Sequence, residues 1–357
     1  MVTRIVKQIL VASIGWGWLI SMPPVLGQNA SDSKATMIVV VGASGETKYG
    51  EQFAASAAAW SKVSKAANIE VSVIGTGTSE QTGDLDQLRK KLETLKQSEP
   101  ADNALDTRPV WLILIGHGTF QSNIAKFNLR GPDLSAEQLA KWLDAVQRPL
   151  VVINTSSSSG PFVNSLSGER RTVVTATKSG EEQNFARFGL HLPEAIGNPK
   201  SDLDHDGEVS LLEAVLKASS DTKDFYVSED RILTEHALLD DNGDKFGTPA
   251  EMLGLVLRGD EVRAAAKPKS KSTGQKPVAD GDVAISTVLV LSSKVPDLLP
   301  EEKVRRAETE AEIRRLRRAK SSLDEGDYYA KLEALMVDLS KIYETAEKRK
   351  KTPLSSP

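Results

Sequence analysis

Cysteine is absent from this chain of 357 residues. The absence excludes disulfide bridges, thiolate metal sites and a cysteine nucleophile. The fold must therefore be stabilised by an ordinary hydrophobic core, and any nucleophilic catalysis would have to use a hydroxyl group. The length leaves room for one large domain with an appendage, or for two domains.

Aromatic residues are also scarce, at 5% of the sequence, and neither sign of charge dominates. The 45 Lys and Arg residues face 49 Asp and Glu residues, which gives a net charge of −4. That balance lacks the basic excess of a nucleic-acid-binding protein, so no nucleic-acid partner is expected. The hydrophobic content of 39% is typical of a soluble globular protein.

One apolar run stands out near the N-terminus, between residues 9 and 20. Arg4 and Lys7 precede it, and a Pro-Pro pair ends it. This arrangement predicts a signal peptide over residues 1–27 that is removed from the mature chain. The alternative, an uncleaved anchor, requires about 20 apolar residues, and this run is shorter. We therefore expect an exported protein, periplasmic or secreted, with no stable membrane insertion after cleavage.

Predicted strands and helices alternate through the first two thirds of the chain. The predicted strands, all rich in apolar residues, are 37–41, 69–74, 110–115, 149–154 and 171–176. Alternation with amphipathic helices favours a mostly parallel sheet with helices on both faces, and the near-continuous apolar content of most of these strands agrees with that arrangement. This α/β domain is expected to span residues 34–262.

The C-terminal part has a different composition. Residues 263–283 are rich in Lys, Pro, Ser and Gly, which predicts a linker. Residues 284–291 predict one further strand, and residues 301–349 have helical periodicity with a break near 321–327. Segment 284–357 is therefore expected to form a strand and a helical hairpin of coiled-coil character. Arg and Glu residues interleave along the first arm, which favours a solvated, salt-bridged face.

Two of the predicted strands end in polar groups that could react. The third strand is followed by Gly116-His117-Gly118, and the fourth by a run of four serines that begins at Ser156. Because sites in open α/β sheets form outside the carboxyl ends of the strands, we expect His117 and Ser156 to lie close together. A histidine can act as the base for a serine nucleophile.

These two strand ends resemble those of the caspase-like superfamily of peptidases (clan CD), which includes legumains, gingipains and caspases. In that family a His-Gly turn ends the third strand and a cysteine follows the fourth. The resemblance covers about residues 37–257 and implies a caspase-like α/β fold. It places Ser156 at the nucleophile position, with Ser157 as a shift of register, and His117 as the base. The backbone amides of Gly118 and Ser156 would be the oxyanion donors.

The chain departs from this family pattern at the nucleophile. A thiol, with a pKa of about 8.5, is readily activated by a histidine, whereas a serine hydroxyl needs a base held in hydrogen-bond contact. The replacement favours a non-catalytic homologue used for binding or assembly, with an unidentified protein or peptide as its partner. The alternative is an active hydrolase with Ser156 as nucleophile and His117 as base.

The strongest local motif is an acidic stretch at residues 202–213. Its sequence fits a twelve-residue EF-hand loop, with Gly207 at the sharp turn. Carboxylates this close repel one another unless a hard cation lies among them, so the motif predicts a Ca²⁺ site. A solvated acidic turn is the alternative. The predicted ligands are Asp202, Asp204, Asp206, the backbone carbonyl of Glu208, Ser210 and Glu213.

A second acidic stretch, residues 240–251, has the same character but carries Lys245 where glycine belongs. This pattern is compatible with a degenerate second calcium loop and with an isolated polar turn.

The Gly42–Glu46 turn lacks the spacing of a dinucleotide-binding fingerprint, so no nucleotide cofactor is predicted. A calcium-responsive interaction module is a further hypothesis, compatible with either interpretation of the serine.

Overall fold

A computed structural model describes residues 35–77, 83–97, 109–257, 280–291 and 298–351. The predicted signal peptide and most of the predicted linker lie outside these residues. The described residues belong to one compact unit. None of the helices in these ranges is long and apolar enough to cross a membrane.

The described part of the chain contains two sheets. In chain order the strands are β1 (Thr36–Val41), β2 (Glu70–Ile74), β3 (Val110–Ile115), β4 (Gly118–Gln121), β5 (Ile124–Phe127), β6 (Leu134–Ser135), β7 (Leu150–Asn154), β8 (Arg171–Thr175), β9 (Leu238–Asp240) and β10 (Thr248–Pro249). The main sheet has the order β10-β9-β8-β7-β3-β1-β2, and β4, β5 and β6 form a small second sheet. The five strands from β2 to β8 in the main sheet are parallel, and β9 and β10 extend it in the antiparallel sense.

Both faces of the main sheet are covered by helices. The helices of the described ranges are α1 (Thr47–Ala66), α2 (Asp84–Gln97), α3 (Ala136–Leu143), α4 (Phe162–Leu166), α5 (Phe188–Ile196), α6 (Leu211–Ser228), α7 (Ala250–Leu257), α8 (Pro300–Arg318) and α9 (Glu325–Lys351). Along β1, Met37 and Val39 lie in a core with residues of α1, α5 and α6. Ile38 and Val40 lie in a second core with residues of α2, α3 and α4. Since successive strand side chains point to opposite faces, this division confirms the predicted α/β class with a mostly parallel sheet.

The small sheet β4-β5-β6 is not predicted by the sequence pattern. Its strands are short, and the hairpin turn between β4 and β5 is Ser122-Asn123, which lacks the glycine that usually marks such turns. Both residues have positive φ angles, 52° and 62°, as a two-residue hairpin turn requires. Because β4 begins at Gly118, this hairpin fixes the backbone directly after His117.

The strand predicted at residues 284–291 is wrong. Ala284–Ser286 forms a 3₁₀ turn instead, followed by one isolated β-bridge. The carboxylate of Asp241 accounts for the turn, because it accepts hydrogen bonds from the N–H groups of three residues in segment 281–284. Of these three amides only that of Ala284 lies in the predicted strand, and its bond to Asp241 makes it unavailable for a strand ladder.

Residues 280–283, the last four residues of the predicted linker, are folded. Asp280 is only 1% exposed. Its carboxylate accepts hydrogen bonds from the backbone N–H of Asp241 and from the N–H and hydroxyl of Thr248. Residues 280–283 therefore belong to the folded unit, and their polar composition is misleading because Asp280 is paired with protein donors.

Helices α8 and α9 form the predicted helical hairpin. Leu298, directly before α8, forms a small apolar cluster with Ile342 and Ala346 of α9. Near the start of α8 and the end of α9, the guanidinium of Arg349 donates to both carboxylate oxygens of Glu302, at 2.8 and 2.7 Å. A small apolar cluster and a two-point ion pair therefore hold the two arms together.

Candidate functional sites

The two polar strand ends meet at the carboxyl edge of the sheet. Strands β3 and β7 are parallel neighbours, with Leu114 opposite Asn154. The backbone N–H of Gly118 donates to Ser157 Oγ at 3.2 Å. A Cβ added at Gly118 would lie 2.3 Å from the carbonyl oxygen of Ser157 and 2.8 Å from Ser156 Oγ. The structure thus brings the His-Gly turn into direct contact with the serine run.

His117 lies among aromatic rings. Its ring centroid is 4.7 Å from that of Tyr49 and 5.1 Å from that of Phe53, and Phe185 follows at 6.4 Å. Partial burial lowers the pKa of His117, against the opposing effect of a hydrogen bond with the backbone of Ser44. The imidazole is therefore mostly neutral at pH 7, the form that a general base requires.

Ser156 is hydrogen-bonded to the side chain of Asn154. Its Oγ donates a hydrogen bond of 2.7 Å to Asn154 Oδ1, and its backbone N–H donates to the same oxygen at 3.1 Å. Ser156 has 0% of its surface exposed. Among the described residues, no hydrogen bond joins Ser156 to His117. General-base activation of a serine requires that contact.

Ser157, the alternative nucleophile, is engaged as well. Its Oγ accepts from the N–H of Gly118 and donates to the carbonyl oxygen of the same residue at 3.3 Å. It is also buried. The Gly118 amide, one of the predicted oxyanion donors, is therefore already bonded to the protein.

The other two serines attach the loop to the segment after β8. Ser159 Oγ lies 3.1 Å from Thr177 Oγ1 and accepts from the N–H of Thr177, whose Oγ1 also accepts from the N–H of Gly160. Ser158 has a φ of +52°, and its N–H donates to the carbonyl oxygen of Glu182 at 2.8 Å. All four serines are buried. A run that suggests a polar loop in the sequence is a packed turn in the structure.

The predicted calcium loop brings its three aspartates together. Asp202, Asp204 and Asp206 each offer one carboxylate oxygen, all within 4.8 Å of one another. Backbone amides orient these groups: Gly207 N–H donates to Asp202 Oδ2 at 3.0 Å, and Glu208 N–H donates to Asp206 Oδ1 at 2.8 Å. The other oxygen of Asp202, Oδ1, is buried and has no hydrogen-bond partner.

Ser210 and Glu213 lie where the loop joins α6. Ser210 Oγ accepts from the N–H of Glu213, and the Glu213 carboxylate accepts from the N–H of Ser210, which forms a capping box. The other carboxylate oxygen of Glu213 accepts from the N–H groups of Leu203 and Asp204. Glu213 therefore ties the start of the loop to the start of the helix, and its oxygens are not part of the three-aspartate cluster.

Glu208, whose backbone carbonyl is a predicted ligand, pairs through its side chain with the hairpin. Its Oε2 lies 2.6 Å from Nη1 of Arg306 in α8, 98 residues away in the sequence. The solvated face predicted for this arm is wrong for Arg306 and for Arg314, whose side chains are 13% and 11% exposed.

Partial burial and the charges of neighbouring carboxylates raise the pKa of Asp206 to about 7, although a hydrogen bond from the N–H of Glu208 opposes them.

The second acidic stretch is arranged differently. Asp240 is fully buried, and its Oδ1 accepts from Ser167 Oγ and from the N–H of Gly243. Burial raises the pKa of Asp240 to about 6. Across the described residues, the three aspartates of the first loop are the one group close enough to share a metal ion. The polar-turn interpretation fits the second stretch better.

Known proteins that are similar to this chain were found among solved structures. No family model matches the sequence, and no curated protein matches it. The chain is similar to the Drosophila initiator caspase Dronc, with 16% identity and a TM-score of 0.39 over 60% of this chain and 81% of that chain. It is similar to caspase-1 from Spodoptera frugiperda, with 11% identity and a TM-score of 0.35 over 52% and 76% of the two chains. The identities and the TM-scores are too low to carry over the role of any residue.

Proposed function

We propose that this protein is an exported, calcium-binding protein of caspase-like fold whose peptidase-like site is non-catalytic, and that it acts by binding a protein or peptide or by assembly. The observation that carries this proposal is the hydrogen bond from Ser156 Oγ to Asn154 Oδ1, made by a serine with no exposed surface. A nucleophile in that state has no contact with a base and no access to substrate.

The predicted oxyanion donor supports the same proposal. The N–H of Gly118 is bonded to Ser157 Oγ. Hydrolysis would require Ser156 to leave Asn154 and Gly118 to release Ser157 before a substrate carbonyl could bind. Each of these buried hydrogen bonds costs about 1–3 kcal/mol to leave unmade.

Calcium binding is proposed for loop 202–213. The support is the closeness of three carboxylates and the buried Asp202 oxygen without a partner. A hard cation would neutralise the cluster and fix the loop at the start of α6, which is a structural role. The ligands would be Asp202, Asp204, Asp206, the carbonyl oxygen of Glu208, Ser210 and Glu213, and Glu213 would exchange its hydrogen bonds with Leu203 and Asp204 for the ion. Calcium is plentiful outside the cytoplasm, so even a weak site would be filled after export.

An activity-based probe tests the non-catalytic proposal. The full chain is incubated with a fluorophosphonate, and we expect no labelling in the wild type, in Ser156→Ala or in Ser157→Ala. Labelling that disappears in Ser156→Ala but persists in Ser157→Ala would identify an active hydrolase with Ser156 as its nucleophile. The non-catalytic proposal would then be wrong.

Calorimetric titration tests the metal site. We expect Ca²⁺ to bind the wild-type chain and binding to be lost in Asp204→Asn. Asp244→Asn, a matched change in the second acidic stretch, should bind like the wild type. Absence of binding by the wild type, or loss in both variants alike, would contradict the assignment to loop 202–213.

Export is proposed from the predicted signal peptide alone. N-terminal sequencing of protein recovered from expressing cells is the direct test. A mature chain that begins at Gln28 is expected, and a mature chain that still begins at Met1 would contradict cleavage.

A further inference from the structure

The C-terminal hairpin contacts the calcium loop at Glu208. The ion pair between Glu208 Oε2 and Arg306 Nη1 is 2.6 Å long, and the two side chains are only 5% and 13% exposed. A pair of this kind is charge-assisted and shielded from water, so removing Arg306 leaves the Glu208 carboxylate uncompensated. The side chain of Glu208 is therefore held by the hairpin while its backbone forms part of the loop.

Segment 280–291 makes a second connection between the loop and the hairpin. Ser210 forms an antiparallel bridge with Val288, and the N–H of Leu211 donates to the carbonyl oxygen of Thr287 at 2.8 Å. On the other side of this segment, the guanidinium of Arg318 donates to both carboxylate oxygens of Asp282 at 3.1 Å. The C-terminal part of the loop is thus attached to the hairpin directly and through this segment.

The arginines that the hairpin places near this contact are paired with carboxylates. Arg306 pairs with Glu310 of its own helix at 3.4 Å as well as with Glu208. Arg314, the next basic residue along α8, lies 3.6 Å from the carboxylate of Asp282. Because each arginine has an acidic partner, the docked hairpin does not place an uncompensated positive charge where it would repel a cation.

We propose that calcium binding in loop 202–213 and docking of the α8–α9 hairpin stabilise each other. The inference rests on the calcium site proposed above. Docking fixes Glu208, whose carbonyl oxygen is a proposed ligand, and pairs the loop at Ser210, so a docked hairpin offers calcium a preorganised loop. By linkage, calcium then favours the docked hairpin by the same factor.

Calcium affinity of the full chain tests this coupling. Arg306→Gln should raise the Kd for Ca²⁺ by about five-fold or more, the lower end of typical coupling between sites. Arg305→Gln is the matched control, because Arg305 is exposed and carries the same charge one residue away. Loss of a positive charge near a cation site would by itself tighten binding, so weaker binding in Arg306→Gln cannot come from charge alone.

A double-mutant cycle separates the ion pair from other effects of the substitution. Glu208→Gln leaves the carbonyl ligand in place and should weaken binding at least as much as Arg306→Gln does, because it also removes a negative charge near the ion. The double variant should then be no weaker than the weaker of the two single variants, because both remove the same interaction. Effects that simply add would show that the Glu208–Arg306 pair does not transmit the coupling.

Distances between α6 and the hairpin provide a second test of the coupling, because they report whether the hairpin is docked. Since the chain has no cysteine, Ser220→Cys in α6 and Ser340→Cys in α9 introduce two unique, exposed attachment sites for spin labels. The distance distribution between them should narrow with Ca²⁺ and broaden with chelator, and Arg306→Gln should abolish the change. If the wild-type chain binds no Ca²⁺, both the calcium proposal and this coupling fail. If it binds Ca²⁺ with equal affinity in Arg306→Gln and with an unchanged distance, the coupling alone fails.

Discussion

The serine run and loop 202–213 are both polar turns beside α/β elements, but the side chains of the first are neutral hydroxyls and those of the second are mostly carboxylates. At the serine run, the hydroxyls of Ser156, Ser157 and Ser159 are hydrogen-bonded to the protein, and the buried hydroxyl of Ser158 has no partner. At the calcium loop, three carboxylates face one another and one buried oxygen of Asp202 has no partner. Polar groups that bond to one another build structure, whereas like charges held together favour an external cation.

The contact between the His-Gly turn and the serine run has a structural role of its own. The His-Gly turn and the serine run are held together by Gly118, which is bonded on both its N–H and its carbonyl to Ser157. The contact therefore contributes to packing at the carboxyl edge of the sheet, whether or not any reaction takes place there.

The largest effect is expected from Gly118→Ala, which tests the packed character of the serine run. The new Cβ would lie 2.3 Å from a backbone oxygen of Ser157, so one of the two segments must move. We expect a loss of about 3 kcal/mol in the free energy of unfolding, measured with urea. Gly254→Ala in α7 is the control, because its Cβ meets no atom within 4 Å and should be neutral or stabilising. A Gly118→Ala chain as stable as the wild type would contradict the contact between the strand ends.

Calcium removal tests the other half of the comparison. A ligand that binds only the folded state, present at one hundred times its Kd, stabilises that state by about 2.7 kcal/mol. We expect the thermal midpoint of the wild-type chain to fall when chelator replaces Ca²⁺, and that of Asp204→Asn to stay unchanged. Equal sensitivity of the two chains would remove the contrast between loop 202–213 and the serine run.

Asp280 provides a pH test, because it is a buried carboxylate satisfied by protein donors. Burial raises its pKa to about 7, although hydrogen bonds from Thr248 and Asp241 oppose the shift. The unfolded value is about 3.9, so the folded state binds the proton more tightly. The contribution of Asp280 is therefore fully present below pH 4 and is lost as pH rises towards 7, with a slope of up to about 1.4 kcal/mol per pH unit. Asp280→Asn should flatten this part of the urea-unfolding profile, and an identical slope in both chains would rule the assignment out.

The smallest effect is expected from Ser159→Ala. Loss of its hydroxyl leaves the N–H of Thr177 without its partner, which should cost about 1 kcal/mol in the free energy of unfolding. Ser220→Ala, an exposed change in α6, should stay within about 0.5 kcal/mol of the wild type. A Ser159→Ala chain that matches this control would show that the serine run is less tightly bonded than described.

The α/β part of the fold could be predicted because each of its strands and helices has a recognisable pattern in its own short stretch of sequence. Alternation of apolar strands and amphipathic helices identifies the parallel sheet, and helical periodicity identifies the hairpin. The small sheet after His117 escapes this reasoning because its strands are too short for periodicity, and its turn uses Ser122 and Asn123 in place of glycine.

The partners within the sites could not be predicted, because they depend on tertiary contacts. Asn154 and Thr177 each stand directly after apolar strand residues, but nothing in the sequence says that they take the serine hydroxyls as partners. Arg306 is one of several arginines in a mixed-charge helix, and only the folded chain distinguishes it from its neighbours. Asp280 looks like part of a linker until its partners around Asp241 and Thr248 are known.

The sequence separation of Glu208 and Arg306 also sets the time that passes between their synthesis on the ribosome. Because Arg306 lies 98 positions after Glu208, the ribosome makes the arginine about 5–20 seconds after the glutamate. During that interval a nascent chain carries the acidic loop without its cationic neighbour. A product that stops before residue 306 keeps that incomplete state permanently, so premature termination close to the C-terminus would affect a region of the molecule about a hundred residues upstream.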